Sequence, residues 1–166
     1  APVKIANTLS GLVSFGGGVA YDPTNNSVWV SDGVRIRNLS MAGTTLCDFP
    51  ATLTDKTWAV TGLAFNRAKR QLIQLEMGPG SGTRLVNVRF HDATKCPATP
   101  LALACKGRTI KGTGVVAAGI AYDGARDLIY YSVSSSGFFN STHTIHVVKP
   151  TAPCTDVNTG SAIGVI

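Results

Sequence analysis

One five-residue pattern occurs three times in this chain, as Gly18-Val19-Ala20-Tyr21-Asp22, Gly62-Leu63-Ala64-Phe65-Asn66 and Gly119-Ile120-Ala121-Tyr122-Asp123. A repeat of roughly 45 to 57 residues makes the chain an array of similar units, each of which must bury its apolar face against a neighbour. The copies extend further. A second apolar segment follows each motif, as Val28-Trp29-Val30, Leu72-Ile73-Gln74 and Leu128-Ile129-Tyr130, after the polar links Pro23-Thr24-Asn25-Asn26-Ser27, Arg67-Ala68-Lys69-Arg70-Gln71 and Gly124-Ala125-Arg126-Asp127. A third segment comes next, at Arg35-Ile36-Arg37, Arg84-Leu85-Val86-Asn87-Val88 and Thr144-Ile145-His146-Val147. Then a cysteine follows at nearly constant distance, at Cys47, Cys96 and Cys154.

These segments are short, rich in Val, Ile, Tyr and Phe, and bounded by Gly, Pro, Asn and Asp, which is strand chemistry. Apolar residues nowhere recur at helical spacing over a helix-length window. The class is therefore all-β. Three strands, with a fourth before the next glycine, make a four-stranded antiparallel meander of the size of a propeller blade. The units run over about 18-61, 62-118 and 119-166, with 1-17 as an N-terminal strand segment.

Residues 18 to 39 resemble a blade of the NHL-repeat and related six-bladed β-propellers, in which a Gly-apolar-Ala-apolar-Asp strand is followed by a polar turn, an apolar strand and an Arg-Ile strand. The second unit departs from that pattern, with Asn66 in place of Asp and Gln74-Leu75-Glu76 in place of the Val-Ser-Asp ending. Closed propellers usually have four to eight blades, and this chain supplies three. The resemblance thus implies completion to six, by a homodimer with two-fold symmetry or by a complementary propeller chain; the competing reading is a fragment of a longer propeller.

With 44% hydrophobic and 14% charged residues and only strand-sized apolar runs, the chain can form a core but offers no membrane span. Its start at Ala1-Pro2-Val3 suits a processed terminus, pointing to a secreted, extracellular or periplasmic protein. The cysteines point the same way. Cys96 and Cys105 flank a Pro-containing loop and are expected to form a disulfide tying a hairpin, while Cys47 and Cys154 would meet between chains in a dimeric ring. Asn25, Asn38 and Asn140 stand in glycosylation triplets.

The chemistry is less explicit. In a four-stranded meander, the links between strands two and three share one side of the array, and here they vary: Ser31-Asp32-Gly33, Met77-Gly78-Pro79-Gly80-Ser81-Gly82, and Ser134-Ser135-Ser136-Gly137-Phe138-Phe139-Asn140-Ser141. Variable links on one face of a repeat array commonly mark the binding side. Asp32, Phe138, Phe139, Asn140 and His143 are accordingly the candidate ligand-binding residues, the two phenylalanines as stacking surfaces. The opposite side, with its regular turns and cysteines, is assigned to structure. Asp22, Asn66 and Asp123 are expected to hydrogen-bond the turns.

His143 and His146 fall on opposite faces of a strand, which argues against a shared metal. Neither a Ser-His-Asp order, a nucleotide loop nor paired carboxylates stand out, so no catalytic residue, metal site or cofactor is assigned. The net charge of +6 is scattered over all units without interleaved aromatics, which argues against nucleic acid. Two functional classes follow: a secreted, non-enzymatic, lectin-like module binding a glycan or protein through one face or the clefts between blades, and, as the runner-up, a six-bladed propeller lyase or hydrolase with its site at the central opening.

Overall fold

The computed structural model describes residues 17-80, 83-111, 115-137 and 140-150. Its described residues form eleven strands and no helix, arranged in three antiparallel sheets. The first contains β1 (Val19–Asp22), β2 (Ser27–Ser31), β3 (Arg35–Ser40) and β4 (Thr45–Pro50) in sequential order. The second contains β5 (Ala59–Asn66), β6 (Gln71–Gly80), β7 (Thr83–Asp92) and β8 (Thr99–Lys111), again in order. A third comprises β9 (Val115–Asp123), β10 (Leu128–Gly137) and β11 (Asn140–Val148). The all-β class and the strand segments expected from sequence are present.

Each repeated motif is the first strand of its sheet, and each is joined to the second strand by a four-residue turn of the same shape. The last turn residue is left-handed in all three, with φ of 50° at Asn26, 49° at Arg70 and 51° at Asp127. The recurring Asx position ahead of the turn supplies the hydrogen bonds that hold it, because a short Asx side chain can reach the amides two or three residues on. Thus Asp22 Oδ1 accepts from the Thr24 amide at 2.8 Å, Asn66 Oδ1 from the Lys69 amide at 3.2 Å, and Asp123 Oδ1 from the Ala125 amide at 2.9 Å. Asn66 does in the second unit what aspartate does in the others.

The repeated glycine has a different cause. β1 lies against β5, and β5 against β9, so the first strands are where the three sheets approach most closely. Gly18, at φ +106°, leaves no room for a side chain: a Cβ there would stand 2.6 Å from Gly62 Cα. A Cβ on Gly62 would in turn meet Ile120 Cγ2 at 3.0 Å.

Two apolar layers fill the spaces between sheets. Ala20, Trp29, Ile36 and Phe49 of the first sheet meet Val60, Leu63 and Leu72 of the second. On the other side, Ile73, Leu75, Val86 and Val88 meet Ile129, Tyr131, Val133 and Val148 of the third. The middle sheet is therefore covered on both faces, and β6 is buried continuously from Leu72 to Glu76. β2, at the end of the stack, instead alternates between buried and half-buried residues, as a strand with one covered face does.

Some expectations change. The Met77–Gly80 and Ser134–Gly137 segments are not loops but the ends of long strands, since Gly80 pairs with Thr83 and Gly137 with Asn140. Backbone hydrogen bonding in an antiparallel ladder is satisfied whatever the side chains, so polar Ser/Gly stretches prolong the hairpins instead of interrupting them. The disulfide also differs: Cys96 bonds to Cys47, with Cα atoms 5.7 Å apart, and links the second sheet to the first. Cys96 sits in the turn before β8, whereas Cys105 lies opposite Val88, three residues from the His91 that opposes Pro100. That separation is about 10 Å of strand, beyond the roughly 7 Å limit for bridged Cα atoms. With Cys47 bonded to Cys96 inside its own chain, Cys47 does not take part in a bridge between two chains.

Candidate functional site

An open cleft of about 510 Å³ lies between the second and third sheets at the end carrying the regular turns. Phe65, Asn66, Arg67 and Ala68 line it from β5 and the turn that follows, and Tyr122 and Gly124 from β9 and its turn. The same repeat geometry that stacks the sheets thus brings two successive turns side by side.

Tyr122 joins the two walls. Its hydroxyl accepts a hydrogen bond from Asn66 Nδ2 at 3.0 Å and donates one to Asp127 Oδ1 at 2.5 Å. Burial pushes the phenol up to about 12, with the hydrogen bond to Asp127 and the negative charges of Asp127 and Asp123 acting in the same direction. At neutral pH the hydroxyl keeps its proton and serves as a fixed donor, not as a base or nucleophile. Beside it, Arg126 Nη1 contacts Asp123 Oδ2 at 2.8 Å, which holds the Asp123 carboxyl below the usual carboxylate range.

The walls combine aromatic and polar groups. Phe65 and Tyr122 supply aromatic rings, Asn66 an amide with both donor and acceptor capacity, and Arg67 a guanidinium with five donor hydrogens.

A second polar cluster lies between the middle sheet and residues 51-58, the link from β4 to β5. Glu76, fully buried on β6, accepts from the Thr54 amide at 3.2 Å, Thr54 Oγ1 at 2.8 Å, Asn87 Nδ2 at 3.0 Å and Arg89 Nη2 at 3.2 Å. Gln74 Nε2 donates to the Thr52 carbonyl at 2.9 Å, so its Oε1 faces His91 Nε2 at 2.8 Å and that nitrogen carries the imidazole proton. Burial, followed by the charge of Arg89, lowers the His91 pKa to about 4. With its Glu76 and Arg89 charges paired, this cluster anchors the link to the sheet. The Gln74-Leu75-Glu76 departure from the repeat is the set of residues that builds it.

The residues selected from sequence fall elsewhere. Asp32 is buried in the link between β2 and β3, where its Oδ1 accepts from the amides of Val34 at 3.1 Å and Arg35 at 2.8 Å, with Arg37 Nη1 3.6 Å from its other oxygen. Its carboxylate shapes that turn. Phe138 and Phe139 lie outside the described residues, as do the side chains of Asn140, His143 and Cys105. His143 and His146 occupy β11 opposite Ser134 and Tyr131, and the His146 ring stacks on Tyr131 with centroids 4.9 Å apart. Asn25 is exposed in its turn, as a glycan acceptor must be, but Asn38 is buried and donates to Ser27 Oγ at 3.0 Å, which removes it from the acceptor sites.

The cleft residues sit in regular turns, which in sequence have the pattern of structural links. Its signal was nevertheless present in the alignment of the repeats, which places Phe65-Asn66 and Tyr122-Asp123 at matching positions of adjacent units. No protein-family model matches this chain, and no curated protein matches it.

Proposed function

We propose that the chain is a non-enzymatic extracellular binding module of β-propeller type, which takes a carbohydrate ligand in the cleft between its second and third sheets. The observation that carries this reading is the pairing of Phe65, Asn66 and Arg67 with Tyr122 across an open space of about 510 Å³, a volume within the range of small-ligand sites. Aromatic rings suit the apolar faces of sugar rings, and the amide and guanidinium suit their hydroxyls. The Cys47–Cys96 bond supports an oxidising compartment.

Three stacked units do not close a propeller ring, so the proposal includes a second copy that completes six blades about a two-fold axis. The outward face of β1 supports this part: Val19 is 65% and Tyr21 52% exposed, while Ala20 between them is buried against the second sheet. Two apolar side chains at the flank where a preceding blade would sit leave a surface that a further sheet would cover.

Glycan-array screening of the purified protein, followed by titration of the best ligand, tests the site. Tyr122→Ala and Arg67→Ala are each expected to weaken binding about tenfold or more, roughly 1.4 kcal/mol. Retained affinity in both variants would place recognition outside this cleft. Stoichiometric turnover of any bound sugar would overturn the non-enzymatic reading.

A further inference from the structure

The turn that lines the cleft from the second sheet carries a charge that its shape does not require. The Arg70 amide donates to the Arg67 carbonyl at 3.3 Å and closes residues 67-70 into one turn, whose end Cα atoms lie within about 7 Å of each other. Arg67, Lys69 and Arg70 crowd their positive charges into that span, and no carboxylate stands among them. Like charges so close repel, which opposes the turn instead of stabilising it. The other two units build the same turn without an excess of cations. In the first it is Pro23-Thr24-Asn25-Asn26, with no ionised side chain, and in the third it is Gly124-Ala125-Arg126-Asp127, where an anion offsets the cation.

The position ahead of the turn changes in the same direction. Asp22 and Asp123 bring a carboxylate to the first and third turns, whereas Asn66 makes the equivalent hydrogen bond, from the Lys69 amide, without one. Neighbours do not neutralise the cations either. Arg35, Arg37, Arg89 and Arg126 each meet a carboxylate, at 2.9, 3.6, 3.2 and 2.8 Å. Among the described residues Arg67 and Lys69, both exposed, have no such partner, and Arg70 shares the charge of Asp92 with Lys95. Across the cleft, Asp123 is taken by Arg126 Nη1 at 2.8 Å, and Asp127 Oδ1 by the Tyr122 hydroxyl at 2.5 Å. Of the described residues that line the cleft, Arg67 alone carries a charge.

We propose that the saccharide taken by this cleft is acidic, its carboxylate or sulfate oxygens held by the Arg67 guanidinium while Lys69 strengthens the field. Charge selection of this kind presupposes the carbohydrate reading of the cleft. A guanidinium presents parallel N–H donors that match two oxygens of one anionic group, and such charge-assisted bonds are roughly twice as strong as neutral ones.

Isothermal titration of the full chain with three oligosaccharides of equal length, a galacturonan, a sulfated galactan and a neutral galactan, tests this. One acidic oligomer is expected to bind about tenfold more tightly than the neutral one, and which of the two does so identifies the anionic group. Arg67→Gln should weaken that binding about tenfold and Lys69→Gln about threefold, with the neutral oligomer changed by less than about twofold in both. Raising the salt from about 0.1 to 1 M shortens the screening length from about 10 to 3 Å, and should weaken the acidic ligand several-fold and spare the neutral one. Lys56 is equally exposed but precedes the start of β5, at the end away from the cleft, so Lys56→Gln should leave every affinity unchanged. Equal losses in Lys56→Gln and Arg67→Gln would reveal attraction to the basic chain as a whole and overturn the proposal. A neutral oligomer that binds as tightly as the acidic ones, and loses that binding in Tyr122→Ala, would overturn the charge preference while leaving the carbohydrate cleft in place. Binding of none of the three would overturn both.

Discussion

Replacing Glu76 by Leu removes the carboxylate that pairs with Arg89 inside the middle sheet. Five donors converge on that carboxylate: the amide and hydroxyl of Thr54, Asn87 Nδ2, Arg89 Nη2 and, at the longest distance, Gln74 Nε2. Glu76 is wholly buried, and the Arg89 side chain is only 12% exposed, so the cation left behind cannot regain its water. Leaving one member of a buried pair unpartnered costs about 3–5 kcal/mol; Thr54 is exposed, so its donors regain water and add little to that. Adding Arg89→Met removes the orphaned charge together with its partner. The double variant is therefore expected to be more stable than Glu76→Leu alone, by about 2 kcal/mol or more, because an apolar replacement of both members of a buried pair is often close to neutral. Equilibrium urea unfolding at one fixed protein concentration, followed through the buried Trp29 and Trp58, measures both differences. A single variant costing under about 1 kcal/mol, or a double variant whose loss equals the sum of the singles, would refute the argument that the pair acts as a unit.

Further outcomes follow from the same geometry. The folded pKa of His91, about 4, lies below its ordinary 6.5, so the unfolded chain takes up this proton first. Stability that is complete above pH 6.5 is then lost as pH falls toward 4, by about 3 kcal/mol, and His91→Phe should flatten that slope in unfolding measured across the window. Gly18→Ala places a Cβ 2.6 Å from Gly62 Cα at a left-handed φ and should cost about 2–4 kcal/mol in thermal or urea unfolding; a neutral result would contradict the close approach of β1 and β5. Cys47→Ser opens a loop of 49 residues, and chain entropy puts the loss at about 4 kcal/mol, readable as a lower urea midpoint than that of the oxidised parent. Tyr122→Phe keeps the ring but strips partners from Asn66 Nδ2 and Asp127, for a loss of about 1–2 kcal/mol.

What could be read from the residues was whatever the repeat encodes locally. The Asx position and the four-residue turn after it lie within one hairpin, so Asp22, Asn66 and Asp123 announced their hydrogen bonds in sequence. Interactions between units were harder to see. Cys96 stands nine residues from Cys105 and forty-nine from Cys47, and short spacing suggested a hairpin clasp. The strand Thr99–Lys111 carries Cys105 away from the turn, while sheet stacking brings Cys47 to it. The Ser134–Gly137 run read as loop because polarity marks exposure, yet exposed hairpins are equally polar. Gln74 and Glu76 looked like decay of the repeat, since nothing in their own strand reveals that Thr52 and Thr54 of the preceding link fold over them. The cleft follows the same logic: its two walls belong to different units, 56 residues apart at Asn66 and Tyr122, and only stacking makes them neighbours.

The molar mass of the folded chain at micromolar concentration, determined by light scattering on a sizing column, bears most directly on the claim that three units are half of a ring. Twice the chain mass of 17.3 kDa is expected, with Val19→Lys and Tyr21→Lys on the open flank shifting the species toward the single chain. A cooperatively folded 17.3 kDa species that stays monomeric at that concentration, and is unchanged by those substitutions, would contradict it.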